Sequence, residues 1–413
     1  MASFLPVTKA ELSVRGWDRP DFIFVSGDAY VDHPSFGPAI ICRVLEAHGY
    51  KVGIIPQPDW RSASDFDRLG KPRLGFLVSA GNMDSLLNKF TAAKKTRSRD
   101  AYSPGGRANC RPERATIVYC NRIRALYPDV PILIGGIEAS LRRLAHYDYW
   151  SDSVRRSILV DSGADILIYG MGERAALAVA ADLQQGVAVS NIQDVPGTCY
   201  RVPNMDYVWD YIALPSFDEV RADKVKFAAS FQMEYLEQDA IRGHRLAQQN
   251  GAWCVVQNPP AMPLSETEMD AIYDLPYQRT YHPMYEAAGG VPALQEVQFS
   301  LVSQRGCFGG CNFCAIISHE GRIIQRRSHA SLIREAKILT KLKGFKGYIH
   351  DVGGPTANYE TVQKALRRAH REDLIGYGAK CLIRPKKKKG ECSNEVSVLQ
   401  DGGQSRRRFA RRR

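Results

Sequence analysis

Phe22-Ile23-Phe24-Val25 is a short, unbroken apolar run that stops at Ser26-Gly27-Asp28. A run of this length, bounded by a turn glycine, is the pattern of a strand buried on both faces. A helical pattern follows from about Phe36, with Ile40, Ile41, Val44 and Leu45 on one face, and it stops at Gly49 as a helix does at a C′ glycine. Lys51 to Ile55 is the next strand, and then the unit repeats. Leu74 to Ser79 is a strand, a helix begins near Met83, and another runs from about Glu113 to Leu126. Pro131 to Gly135 and Asp165 to Tyr169 are further strands, and a helix from Glu173 to Gln185 closes the series. Apolar strands alternating with amphipathic helices predict an α/β fold, a doubly wound parallel sheet over roughly residues 15–200.

Ligands of such sheets lie at the carboxyl ends of the strands. Those ends carry Ser26-Gly27-Asp28-Ala29-Tyr30, Ser79-Ala80-Gly81-Asn82, Gly135-Gly136-Ile137-Glu138 and Gly170-Met171-Gly172-Glu173. Their glycines serve either tight strand-to-helix turns or the close approach of a ligand. Asp28, Asp32, His33, His146, Asp148 and Asp152 are the polar candidates at or near these ends, and the sequence assigns none of them as a general acid or base. The stretch from Arg142 to Arg156, RRLAHYDYWSDSVRR, interleaves arginines with Tyr147, Tyr149 and Trp150. It suits either packing of a long loop or stacking on bases or a substrate.

The remainder up to the cysteines is less regular. Tyr235 to Gln249 is expected to be a helix, and Asn258-Pro259-Pro260-Ala261-Met262-Pro263 an extended connection. Residues 205–294 are therefore expected to be a helical and irregular bridge after an N-terminal domain at 1–204.

The chain has 413 residues, 44% hydrophobic and 24% charged, enough for two or three packed units. Its net charge of +12 is concentrated at one end. Twelve Lys/Arg and three Asp/Glu lie between Ala379 and Arg413, so the preceding 378 residues carry only +3. Such a tail (386–413) is expected to be solvated and disordered, with nucleic acid or another polyanion as its only route to a charged partner. No apolar run approaches the roughly 18 residues that span a bilayer. MASFLPVTKAELS lacks the charged and apolar regions of a signal peptide, so a cytoplasmic protein is expected, without membrane. Ten cysteines in a reducing compartment do not make a disulfide framework. Seven of them, Cys42, Cys110, Cys120, Cys199, Cys254, Cys381 and Cys392, are scattered singly as small neutral residues.

The other three are clustered. A strand expected at Gln295 to Val302 runs into Ser303-Gln304-Arg305-Gly306-Cys307-Phe308-Gly309-Gly310-Cys311-Asn312-Phe313-Cys314. Three thiolates spaced C-x3-C-x2-C on one glycine-rich loop can hold three irons of a cubane. The fourth iron is then left open to a chelating substrate. The alternative is a zinc site with His319 or another side chain as fourth ligand, although a zinc ribbon normally carries a second Cys pair. An amphipathic helix is expected from Ser331 to Lys343, then a strand at Gly347 to Asp351 and the loop Gly353-Gly354-Pro355.

The cysteine spacing with Phe313 before the last Cys resembles the radical S-adenosylmethionine superfamily. Longer segments resemble the YgiQ-type radical S-adenosylmethionine proteins: SGDAYVDHPSFG (Ser26 to Gly37), IIPQPDW (Ile54 to Trp60), AGNMDS (Ala80 to Ser85), GGIEASLRR (Gly135 to Arg143), AHYDYWSDSVRRS (Ala145 to Ser157), RGCFGGCNFC (Arg305 to Cys314), HEGRIIQRRS (His319 to Ser328) and DVGGPTAN (Asp351 to Asn358). The resemblance implies a flavodoxin- or cobalamin-domain-like N-terminal sheet, then the start of a partial (βα) radical SAM barrel. It implies that Cys307, Cys311 and Cys314 ligate a [4Fe-4S] cluster, and that S-adenosyl-L-methionine binds the unique iron and is cleaved to a 5′-deoxyadenosyl radical. Phe313 would lie near the adenine, and Asp351, Gly353 and Gly354 at the amino acid end of the cofactor, although Pro355 stands where the family's acidic residue is usual. A one-electron donor such as flavodoxin or ferredoxin is implied, and the substrate is not identified. The D-x-H-x-x-G signature of many cobalamin domains is absent, since Asp32 and His33 are adjacent, so cobalamin is not expected.

A six-unit barrel needs roughly 180 residues at roughly 30 per unit. Val297 to Arg384 supplies 88. The sequence after Tyr359 resembles the family's extreme C-terminal helical segment, so an internal deletion near Thr356 to Glu360 is inferred. It leaves an incomplete radical SAM core at 295–358 and a C-terminal helical segment at 359–385. An open two-strand fragment exposes sheet edge and apolar faces. The expectation is that this chain binds a cluster poorly and lacks full turnover. A non-catalytic remnant with a vestigial cluster loop, and a zinc-stabilised binding protein, are the competing readings.

Overall fold

The computed structural model describes residues 3–309, 311, 313–355, 367, 368, 370 and 372. Apart from those last isolated positions, the segments expected at 359–385 and 386–413 lie outside the described residues. Contacts divide the chain into a compact unit Met1–Tyr359 and a second unit Glu360–Arg413. The large sheet and the cysteine loop both lie in the first unit.

Strand β1 (Phe22–Ser26) lies between β2 (Val52–Pro56) and β3 (Gly75–Ser79), parallel to both, with Phe24 opposite Ile54 on one side and Leu77 on the other. Strands β4 (Ile132–Gly135) and β5 (Ile166–Ile168) continue the parallel sheet beyond β3. The order β2-β1-β3-β4-β5 reverses direction at β1, the doubly wound arrangement. Successive side chains of a strand point to opposite faces. Phe22, Phe24, Ile54, Leu77 and Leu133 accordingly share one core, which includes residues of the helices Gly37–Ala47 and Glu173–Gln184. Ile23, Val25, Ile55, Phe76 and Ile134 share the other, with the helices Ala115–Leu126 and Ile158–Ser162. Both faces are covered, which is why these strands are apolar throughout.

Beyond β5 the sheet changes direction. β6 (Thr198–Val202) joins β5 antiparallel, and β7 (Tyr211–Ala213), β8 (Arg245–Asn250) and β9 (Trp253–Gln257) extend the sheet to nine strands in the order β7-β8-β9-β6-β5-β4-β3-β1-β2. The helix expected over 235–249 is corrected here. The helix is Lys224–Leu236, and Arg245–Asn250 is a strand that turns at Gly251 (φ +67°) to pair with β9. Leu246, Ala247, Gln248 and Asn250 are all buried. Cross-strand partners such as Val256 opposite Ala247 outweigh the local helix preference of the sequence. The stretch 205–294, expected to be helical and irregular, thus supplies three strands of the sheet.

The strand expected over 295–302 is also shorter than expected. Leu294–Val297 is a helical turn, and only β10 (Ser300–Val302) is extended. The helix His329–Leu339 follows, then β11 at Asp351–Gly353 rather than 347–351. β10 and β11 are parallel, with Leu301 opposite Val352 and Val302 opposite Gly353. Among the described residues no helix is long and apolar enough to cross a membrane.

Candidate metal centre and adjoining cavity

The chain enters the cysteine loop through Gln304–Arg305, which pairs antiparallel with Gln325–Arg326. Arg305 is buried, forms an ion pair with Glu173 and donates from Nε to Tyr273 Oη at 3.2 Å. Glu173 begins the helix after β5, so this pair fastens the loop to the carboxyl edge of the large sheet. Gly306 then takes φ +79°, and a β-carbon there would stand 2.3 Å from the Ile323 carbonyl oxygen. Its N–H donates to Glu320 Oε2 at 2.8 Å, and the Cys307 N–H donates to the Gly321 carbonyl at 3.0 Å. The segment after the loop is thereby folded back against its start.

Cys307 is buried, Cys314 is half-buried and Cys311 is exposed. The Gly309 N–H points at Cys307 Sγ, 3.4 Å away, and the Cys314 N–H donates to the Cys311 carbonyl at 3.0 Å. Phe313 projects outward, 93% exposed. Among the described residues no three His, Cys, Asp or Glu side chains converge as metal ligands, so the thiols share a loop without forming a closed cage. The zinc alternative takes His319 or another side chain as fourth ligand; His319 Nδ1 lies 3.1 Å from Ser140 Oγ, against the sheet. Gly353 and Gly354 lie beside the start of the loop, and Asp351 pairs with Ser300 three residues before it. The Gly353 carbonyl accepts from Ser303 N–H at 2.8 Å and from Ser303 Oγ at 3.0 Å. A β-carbon on Gly354 would stand 2.4 Å from Gln304 Cγ. The ends of β10 and β11 therefore bring the cysteine loop and the glycine loop together. The donor set (three thiols on one loop, with a backbone N–H on one sulfur and glycines admitting close backbone approach) fits a cubane held by three protein ligands.

The same edge of the sheet holds a cavity of about 250 Å³. Tyr169, Met171, Met262, Ile317, His319 and Arg322 are among its walls. Gly170 has φ +75°, and a β-carbon there would come within 3.2 Å of the His319 carbonyl oxygen. Burial pushes the His319 imidazole down to about 4, with Arg143 adding to the effect, so the ring is neutral at physiological pH. Arg322, Glu173 and Ser140 had no assigned role in the sequence. Their only signal was membership of the segments HEGRIIQRRS and GGIEASLRR or of the turn after β5.

None of the six polar candidates lines this cavity. Between the carboxyl ends of β1 and β3, Arg111 bridges Asp28 at 2.8 Å and Asp100 at 3.0 Å, all three side chains buried. Burial lifts the Asp28 carboxyl to about 6, against the pull of Arg111. Gly27 would place a β-carbon 2.1 Å from the Ala80 carbonyl oxygen, and Gly81 (φ +108°) would place one on the Asp28 carboxylate. These glycines serve close protein packing at that crevice. Asp32 pairs with Arg43, and the buried His33 accepts from the Ser35 N–H through Nδ1 at 3.1 Å. Burial pushes His146 down to about 4. Burial raises the Asp148 carboxyl, but Arg114, Ser151 and the Trp150 N–H together hold it down at about 2. Asp152 sits in a turn at φ +50° and accepts from Tyr147 Oη at 2.6 Å.

The arginine-aromatic stretch forms a hairpin, His146–Asp148 with Ser153–Arg155. Its arginines are matched by carboxylates: Arg142 with Asp84, Arg143 with Glu234, and Arg155 and Arg156 with Asp161. Trp150 tilts against Phe90 at 5.3 Å and Tyr149 Oη donates to the Ala92 carbonyl, so the hairpin packs on the loop at 90–94.

Residues 4–300 match the family model described as Radical SAM N-terminal, a match that ends before Cys307. A UPF0313 protein of Clostridium botulinum (strain ATCC 19397 / Type A) is 58% identical over 356 residues, 86% of this chain and 55% of that protein. A UPF0313 protein of Clostridium perfringens (strain 13 / Type A) is 57% identical over 357 residues, 86% of this chain and 54% of that protein. The chain thus spans about half the length of the curated relatives it matches. Among solved structures it is similar to the radical S-adenosylmethionine methyltransferase TsrM of Kitasatospora setae, at 15% identity and a TM-score of 0.45, over 84% of this chain and 51% of that one. TsrM has been solved with tryptophan and a SAM analogue, and with cobalamin and a [4Fe-4S] cluster.

Proposed function

The chain belongs to the Radical SAM N-terminal family, and from that premise we propose that it is a radical S-adenosylmethionine protein whose Cys307, Cys311 and Cys314 hold a [4Fe-4S] cluster. The observation that carries this reading is the parallel pairing of β10 with β11, which sets the cysteine loop beside the glycine loop. When bound, such a cluster supplies one electron for reductive cleavage of S-adenosylmethionine to a 5′-deoxyadenosyl radical. The chain's own residues do the positioning. Arg305, locked to Glu173, fixes the loop on the sheet, and Glu320 and Gly321 hold its first turn through the N–H groups of Gly306 and Cys307. The N–H of Gly309 is directed at Cys307 Sγ and orients that sulfur. Phe313 is assigned to the adenine, and Asp351, Gly353 and Gly354 to the amino acid end of the cofactor. A one-electron donor, flavodoxin or ferredoxin in type, completes the system, in a cytoplasmic setting that keeps the thiols reduced.

A second reading, a remnant without turnover, is favoured by one observation. Among the described residues the β10–β11 sheet has two strands, and Val352 on it is exposed. An internal deletion near residues 356–360 accounts for that. The test is anaerobic reconstitution of the purified chain with iron and sulfide, followed by reductant and S-adenosylmethionine. 5′-Deoxyadenosine formed by the wild type and lost in Cys311→Ala supports the leading reading. A folded chain that yields none supports the remnant.

A further inference from the structure

The cavity at the carboxyl end of β5 lies between the turn at 169–171, the extended segment at 260–264 and the segment at 317–323 that follows the cysteine loop. Its walls are largely apolar, with Tyr169, Met171, Met262, Leu264, Ile317 and Ile323 contributing. Most of its charged groups are already committed. Arg143 donates to Gln257 Oε1 at 2.6 Å and pairs with Glu234 at 2.6 Å. Arg174 forms a double contact with Glu268. Glu320 accepts from the Gly306 N–H, and Asp239 from the Ile241 N–H at 2.8 Å. Among the described residues, three buried side-chain atoms of wall residues have no hydrogen-bond partner: Nη2 of Arg143, which is ion-paired with Glu234, Nη2 of Arg322, a charged donor, and Oε1 of Gln238, an acceptor. Arg322 has no carboxylate partner among the described residues, and its guanidinium lies over the Tyr235 ring, 4.1 Å from the centroid. An apolar pocket with a few convergent unsatisfied polar groups is the usual form of a small-molecule site. Buried donors and acceptors are otherwise almost always paired.

We propose that this cavity binds a small organic carboxylate with an apolar body and one O–H or N–H donor, the carboxylate on Arg322 and the donor on Gln238. A monoanion fits the charge distribution. Arg322, the wall guanidinium without a carboxylate partner among the described residues, stands on a wall that also carries the carboxylates of Asp239 and Glu320, which a phosphate dianion would have to face. Because Glu320 and Gly321 also hold Gly306 and Cys307, the occupant would sit against the segment that braces the cysteine loop. The inference deepens the proposed function by naming a substrate class, and it rests on that reading only for what becomes of the ligand. Binding itself requires no cluster.

The test uses the full chain without iron. Calorimetry and ligand-detected saturation-transfer NMR are run with 4-hydroxybenzoate, 4-hydroxyphenylacetate and indole-3-acetate, with their neutral amides, and with phenyl phosphate. At least one carboxylate is expected to bind with Kd below about 1 mM. Its amide, and the carboxylate with Arg322→Gln, should each bind at least about tenfold more weakly, the loss of one charge-assisted hydrogen bond. Ile317→Trp, which fills the cavity, should abolish binding with an unchanged circular dichroism spectrum. The proposal is overturned if no carboxylate binds, if acid and amide bind alike, if phenyl phosphate binds best, or if folded Arg322→Gln binds as the wild type does. Iron and sulfide uptake is measured on the same proteins. Loss of uptake with intact carboxylate binding counts against the cluster reading alone, and the converse against this one alone.

Discussion

At Gly306 the backbone stands at φ +79° with the Ile323 carbonyl 2.3 Å from where a β-carbon would go. An alanine there meets both a left-handed backbone cost of about 1–2 kcal/mol and a backbone clash. Gly306→Ala is therefore expected to displace the first turn of the cysteine loop and cut iron uptake several-fold, with little change in urea midpoint, since the loop lies outside the two cores. Iron analysis beside urea denaturation checks both halves. His33 makes a different prediction. Burial, with help from Arg279, pushes its imidazole down to about 3 from an ordinary 6.5. The unfolded chain therefore takes up the proton first. The stability this group contributes is present above about pH 6.5 and is lost as pH falls towards 3, at about 1.4 kcal/mol per pH unit. His33→Asn should flatten the fall in unfolding free energy between pH 6.5 and 5 by that slope, and an unchanged slope would contradict the assignment. At this scale the clustering of the three cysteines on one loop was legible because it is local in the sequence. Arg322 and Glu173 were not, because their partners, Tyr235 and Arg305, are distant in sequence.

Among the elements, the segment after the cysteine loop is tied to the body by a buried charge cluster. The Glu335 carboxylate sits between Arg279, at 2.6 Å, and Arg327, with all three side chains at most 4% exposed. Removing it leaves two guanidinium groups buried and unpaired. Glu335→Ala is expected to cost about 3–5 kcal/mol in chemical denaturation, a size typical of breaking a buried pair. Glu173→Gln removes the charge facing Arg305 and should lower iron uptake more than it lowers the far-ultraviolet dichroism, because the loop loses its anchor while the sheet keeps its strands. The parallel strands β1 to β5 were legible because two-sided burial writes itself as continuous apolar runs. The strand at Arg245–Asn250 was not. Its sequence RLAQQN has no alternation, since its polar residues Gln248 and Asn250 are buried and hydrogen-bonded to distant partners such as Ala145 and Ser157.

On the scale of the molecule, the doubly wound half follows from the alternation of patterns, while its antiparallel extension through β6 to β9 depends on pairings that no local pattern announces. The order β2-β1-β3-β4-β5 would ordinarily put a ligand at the crevice between β1 and β3. Here Asp28, Arg111 and Asp100 fill that crevice, and the open volume lies at the end of β5, next to the segment that braces the cysteine loop. The chain spans about half the length of its curated relatives, and we propose that the missing length includes the remaining barrel units. Turnover by this chain is then expected to fall well below that of a full-length relative assayed in parallel. The central claim concerns the three cysteines, and it is tested most directly by metal content. Wild type, Cys307→Ala, Cys311→Ala and Cys314→Ala are reconstituted anaerobically, and iron and acid-labile sulfide per chain are measured with the electron paramagnetic resonance spectrum of the reduced protein. The account predicts a [4Fe-4S] signal in the wild type, below full occupancy, that disappears in each of the three variants. Iron uptake that is the same in all four proteins, or a single zinc ion bound in place of iron and sulfide, would contradict it.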